Sequence, residues 1–159
     1  MGDAGEIELD SPTLAVLGQV VGNAPDRSLA VFLGDNIYPR GLPTATEPGV
    51  DLERQAAEQI LREQVAATER AGIEAVFVPG NHDWDHSGRR GLERLQEQGS
   101  YLAAISGGDA TLQPTPGCPG PMVLDLGERA RLIAIDSEWL LRADHPKLTD
   151  CSWGAEGSQ

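Results

Sequence analysis

Two short, unbroken apolar runs constrain this chain most: Leu29-Ala30-Val31-Phe32-Leu33, and Ala75-Val76-Phe77-Val78 after Glu74. Each is too short for a buried helix and carries β-branched and aromatic residues, the mark of a strand buried on both faces. Between them, residues 51–71 hold the clearest helical pattern. Leu52, Ala56, Ile60, Leu61, Val65 and Thr68 fall on one broad side, and Gly72 follows as a stop. Ahead of the first run, Ser11 can cap a helix and Pro12 suits its first position. Leu14, Leu17 and Val21 then recur at helical spacing before Gly22. The order helix, strand, helix, strand predicts an α/β fold with a parallel sheet and crossover helices.

Further along, residues 92–98 and 101–105 read as two shorter helices, and 106–121 as a Gly- and Pro-rich loop. Residues 122–126 and 131–136 flank Gly127-Glu128-Arg129-Ala130 and predict a β-hairpin. From Ala143 onward no periodic pattern is present, so one domain is expected over 1–142 with an irregular tail over 143–159. A chain of 159 residues suits a single ordinary domain. No apolar run approaches the length of a bilayer span, and no basic start with an apolar h-region opens the chain. Cys118 and Cys151 match no zinc spacing and can either pair or stay free. The net charge of −13 disfavours nucleic acid as a partner, because phosphate backbones need clusters of Lys and Arg. It is compatible with a phosphorylated small substrate, since bound cations invert the local field. No protein partner is implied.

In parallel sheets, ligands bind beyond the carboxyl ends of the strands, and both apolar runs lead into polar loops there. Gly34 lets the backbone turn and leaves space beside a ligand, and Asp35 stands on the rigid strand end as a donor for hard cations. Asn36 completes a Gly-Asp-Asn triplet that also makes ordinary turns, and Tyr38 is close enough to share the same site. After the second run comes Pro79-Gly80-Asn81-His82-Asp83. The Asn81 amide oxygen can bind a metal without adding charge, and His82 can act as acid or base near neutral pH. Asp83 can orient that histidine or tie down the loop. Two such loops at neighbouring strand ends point to one shared site.

The segments Phe32-Leu33-Gly34-Asp35-Asn36-Ile37-Tyr38 and Val78-Pro79-Gly80-Asn81-His82-Asp83-Trp84 resemble signatures of the calcineurin-like metallophosphoesterase superfamily. The tyrosine after Gly-Asp-Asn makes the purple (tartrate-resistant) acid phosphatase-like branch the better match. Gly2-Asp3-Ala4-Gly5 resembles that branch's first motif, and Leu132-Ile133-Ala134-Ile135-Asp136-Ser137 a later strand. The resemblance implies part of a four-layer α/β/β/α sandwich, with a βαβαβ parallel core plus a C-terminal hairpin. It implies that Asp3 and Tyr38 bind one metal, Asp35 bridges two, Asn81 binds the second, and His82 serves the leaving group. Gly34, Asn36, Gly80 and Asp83 support them. The implied cofactors are two ions, iron with iron, zinc or manganese. The implied reaction is attack of a metal-bound hydroxide on a phosphomonoester. Phosphodiester, nucleotide or pyrophosphate hydrolysis in the same superfamily is the alternative, as is a non-catalytic binding protein that has lost its histidine ligands.

Two features depart from the pattern. Only Met1 precedes Gly2-Asp3, where the family has a strand, and the later histidine motifs are missing. His86 reads as a loop residue beside its motif, and His145-Pro146 follows a polar stretch unsuited to a ligand loop. The pattern is that of a domain truncated at both ends. Oxygen ligands alone hold metal poorly and unselectively. Incomplete metal binding, little or no phosphatase activity and exposed apolar surface are therefore expected of this chain.

Overall fold

The two apolar runs form adjacent parallel strands, β1 (Ala30–Leu33) and β2 (Ala75–Val78), in a register that pairs Phe32 with Phe77. Paired residues project to the same face of a sheet, and these two rings stack at 4.3 Å. A computed structural model of the chain describes residues 1–6, 11–23, 28–146 and 151, without the side chains of 21 and 22. Val21 packing and tail residues 147–150 and 152–159 lie outside the described residues. A third parallel strand, β3 (Ala110–Leu112), pairs with β2 and gives the order β1-β2-β3. Helix α1 (Pro12–Gly22) precedes β1, α2 (Asp51–Glu69) joins β1 to β2, and α3 (Gly91–Ser106) joins β2 to β3. Helix α2 packs on both α1 and α3. Antiparallel strands β4 (Met122–Leu126) and β5 (Ala130–Ala134) form a separate hairpin, and a short α4 (Ser137–Leu141) follows. The fold is thus mixed α/β, with a three-stranded parallel sheet and a two-stranded antiparallel one.

Several expectations are corrected. Helix α3 is continuous where two helices were expected, because Gly99 is a contact and not a break. A Cβ there would meet Pro116 Cγ at 3.2 Å and Leu112 Cβ at 3.6 Å, so glycine lets α3 close on the β3 segment. That segment was expected to be loop. Its strand has 3 residues, too few for a periodic signal among Gly and Pro. On α2 the buried residues are Ala57, Leu61, Gln64, Val65, Ala67 and Thr68, whereas Leu52 is 82% exposed and Ala56 faces solvent. A polar residue, Gln64, holds the centre of the face that an apolar reading had shifted.

Strand β1 is not buried on both faces: Leu33 is 65% exposed. Its outer edge is bordered by the first residues of the chain. Met1 donates from its amino group to Val31 O at 2.7 Å, Leu33 N donates to Met1 O at 2.6 Å, and Asp3 N to Gly34 O at 3.2 Å. The first two bonds follow the pattern of a parallel neighbour, and the third, shifted one residue onto Gly34, carries Asp3 to the end of β1. Leu33, Ile133, Ile135, Leu140 and Leu141 are among the exposed large apolar residues. Cys118 and Cys151 are joined in a disulfide. Among the described residues no helix is long and apolar enough to cross a membrane.

Candidate functional site

Beyond the ends of β1 and β2 the two loops meet back to back through their glycines. Gly34 has φ +96°, and a Cβ on it would lie 3.0 Å from Gly80 Cα. A Cβ on Gly80 would lie 2.3 Å from Asp35 Oδ1 and 2.4 Å from Asp35 N. A side chain on Gly34 would press on the Gly80 backbone, and one on Gly80 would displace the Asp35 carboxylate and amide. Asp35 itself sits at φ +52° and Asp3 at φ +54°. That region is costly for residues other than glycine and concentrates at functional sites.

The acidic side chains converge on one phenol. Tyr38 Oη donates to Asp3 Oδ1 at 2.9 Å and lies 3.3 Å from Asp35 Oδ2. Burial, the hydrogen bond to Asp3 and the charge of Asp35 push the Tyr38 hydroxyl well above its ordinary range, so it stays a donor. The other Asp35 oxygen, Oδ1, accepts from His82 N at 3.0 Å, which ties the second loop to the first. The His82 ring packs on Tyr38, with centroids 3.9 Å apart. Its Nδ1 lies 2.8 Å from Pro39 O. A carbonyl only accepts, so Nδ1 carries the proton and Nε2 is left for other partners.

Asp83 therefore takes the second of its two expected roles. It does not orient His82; it ties down the loops. Fully buried, it accepts from Asn36 N at 3.1 Å, Asn36 Nδ2 at 3.1 Å and Gly80 N at 2.8 Å. Burial pushes its carboxyl up to about 7, against the pull of the Gly80 and Asn36 donors. Asn36 is buried too, and its Nδ2 also donates to Val78 O at 2.9 Å.

Gln64 on α2 is a further clamp that no motif announced. Its Nε2 donates at 2.9 Å both to Ala4 O and to Asn36 O, joining the Asp3 segment to the Asp35 loop. Gln64→Leu keeps the volume and removes both donors, while also removing an Oε1 that has no partner among the described residues. We expect a loss of roughly 2 kcal/mol in urea denaturation. An unchanged midpoint would show that the clamp contributes nothing. The connection over residues 40–49 is held in turn by buried Arg94, which donates to Arg40 O at 2.8 Å and pairs with Glu47 at 2.6 Å and Glu53 at 2.8 Å. Burial alone would raise the Glu47 carboxyl, but Arg94 and Arg90 together more than offset this and hold it below its usual range.

Asn81 is exposed at the rim, next to His82, and its Nδ2 lies 3.3 Å from His86 Nδ1. The His86 ring stands edge-on to His82 at 4.1 Å. Asp85, His86 and Ser87 form a tight turn with φ of 53°, 49° and 61°. Three consecutive left-handed residues cost roughly 1–2 kcal/mol each. His145, by contrast, packs on Trp139, with ring centroids 4.2 Å apart.

No protein-family model, curated protein or solved structure matches the chain. Its site must therefore be read from its own geometry. Asp3, Asp35, Tyr38 and His82 are brought into one contact network, with Asn81 beside it and Gly34, Asn36, Gly80 and Asp83 as its frame. Among the described residues no three His, Cys, Asp or Glu side chains gather closely enough to hold a metal ion. The acidic donors that meet here are two, Asp3 and Asp35, with a phenol between them. Carboxylate, phenol and carboxamide oxygens are a donor set for hard cations.

Proposed function

We propose that this chain carries a metal-dependent phosphoester hydrolase site of the calcineurin-like type, in the purple acid phosphatase-like branch. The observation that carries this reading is the convergence of Asp3 and Asp35 on the Tyr38 hydroxyl, at a strand end that faces Asn81-His82. Asp3 and Tyr38 would hold one cation, Asp35 would be shared, and Asn81 would serve the second. Iron with iron, zinc or manganese are the ions in question. When bound, the ions supply an activated water and neutralise charge on the phosphoryl oxygens. His82, with its Nδ1 proton held by Pro39 O, would serve a leaving group or a phosphate oxygen from Nε2 only when the ring carries a second proton there. On this reading the parallel sheet and the hairpin belong to a four-layer α/β/β/α sandwich.

The donors are all oxygens, so binding should be modest and unselective and turnover slow. Electron paramagnetic resonance of added Mn²⁺ measures the first point. Asp35→Asn keeps an oxygen for His82 N but removes the shared charge. It should weaken Mn²⁺ binding at least about tenfold, ~1.4 kcal/mol. Equal binding by both proteins would end this assignment. A screen of p-nitrophenyl phosphate against bis-p-nitrophenyl phosphate, read as the Asp35-dependent part of turnover, separates monoester from diester chemistry.

A further inference from the structure

The geometry points to His86 as a positioning residue that orients the Asn81 carboxamide, holding its nitrogen so that its oxygen is turned toward solvent and available to a cation. This role rests on the reading of Asn81 as a ligand.

An amide nitrogen can only donate. At 3.3 Å from Asn81 Nδ2, His86 Nδ1 must then be the acceptor, and the neutral ring carries its proton on Nε2. The two heteroatoms of a carboxamide lie on opposite sides of its carbon, so fixing Nδ2 against the ring turns Oδ1 away from it. Without a fixed partner, an exposed Asn presents either atom equally well, and a nitrogen facing a cation would repel it. The ring is brought back over Asn81 by the left-handed turn. His86 N donates to Asn81 O at 2.9 Å, Asp85 N to His82 O at 3.0 Å, and Gly88 N to Asp85 O at 2.8 Å. Arg40 pairs with Asp85 at 3.8 Å, and the Ser87 hydroxyl bonds to Glu138. His82 and His86 hold opposite tautomers in consequence: His82 donates from Nδ1 to Pro39 O, while His86 accepts at Nδ1.

Two variants of the full chain separate orientation from simple support. His86→Asn places an amide oxygen where the ring held Nδ1, and asparagine tolerates left-handed backbone. His86→Phe keeps a ring and removes the acceptor. In ¹⁵N spectra of the metal-free protein, His86 should be the Nε2–H tautomer. The Asn81 side-chain amide resonances should move in His86→Phe and return in His86→Asn, with the backbone amides of Asn81 and His82 little changed. Mn²⁺ affinity should fall about tenfold in His86→Phe and stay within about threefold in His86→Asn. An Nδ1–H tautomer, or Asn81 amide resonances indifferent to His86→Phe, overturns the proposal with or without metal. So does unchanged Mn²⁺ affinity in His86→Phe when Asp35→Asn weakens it. If Asp35→Asn leaves Mn²⁺ binding unchanged, it is the metal assignment that fails, and the tautomer and amide shifts alone decide the orientation.

Discussion

Asp83→Ala should lower the unfolding free energy by roughly 4 kcal/mol at pH 5 and by only about 1–2 kcal/mol at pH 8. The cost at low pH comes from Asn36 N and Gly80 N, which both lose an acceptor, whereas Asn36 Nδ2 keeps Val78 O. The pH dependence comes from burial, which pushes the Asp83 carboxyl up to about 7. A carboxyl whose pKa is higher folded than unfolded stabilises the fold fully below about pH 4. That contribution is lost as pH rises through the folded value. Between pH 5 and 8 the loss is on the order of 2–3 kcal/mol for Asp83. Asp136, pushed up to about 6 by its own burial, slopes the same way, so the variant keeps a shallower dependence. Urea denaturation of both proteins at the two pH values is the measurement. A wild-type chain more stable at pH 8 than at pH 5, or an equal cost of the substitution at both, would contradict this account.

The same residue shows how far a sequence of this kind can be read. Gly34-Asp35-Asn36 and Gly80-Asn81-His82-Asp83 were legible because each follows an unbroken apolar run, and such runs leave few alternatives to a buried strand. Strand β1, however, had its burial overestimated: nothing in Leu33 itself says that it stands on the open face. The choice between two roles for Asp83 was not legible, because it depends on Asn36 arriving within 3.1 Å from a loop 47 positions away. Gln64 was invisible for a related reason. A polar side chain on a helix reads as solvated until the carbonyls of Ala4 and Asn36 are placed beneath it. The break expected between residues 98 and 101 is absent, because Gly99 admits Leu112 and Pro116, and that neighbour is not visible in the local sequence. His86 owes its place over Asn81 to a left-handed turn of three L-residues, which no propensity predicts. The placement of the two loops at strand ends was readable; orientation across the loops was not.

Trp84→Ala should be the most damaging single truncation near the site, costing about 5 kcal/mol. Truncating a fully buried tryptophan costs roughly 3–5 kcal/mol in packing. Trp84 is 0% exposed, and its Nε1 also donates to Asp136 Oδ2 at 2.7 Å. That bond spans 52 positions and fastens the His82 loop to the start of α4, where Asp136 Oδ1 caps the helix by accepting from Trp139 N at 2.9 Å. The Arg142 guanidinium, 4.5 Å from the ring centre, loses its platform as well. A domain of this size has about 5–15 kcal/mol of stability in total, so the alanine variant should be largely unfolded at 37 °C. Trp84→Phe separates the two contributions. It retains most of the packing and loses the donor, for roughly 1–2 kcal/mol. It also removes a hydrogen bond that favours charged Asp136, so the carboxyl should titrate higher still than about 6. The stability lost on raising pH through that value should then shift to higher pH in the phenylalanine variant. The Asp136 side-chain carbon resonance against pH reports this directly. A lower titration point in Trp84→Phe, or a phenylalanine variant as unstable as the alanine one, would mean that the indole donor does not hold Asp136 as described.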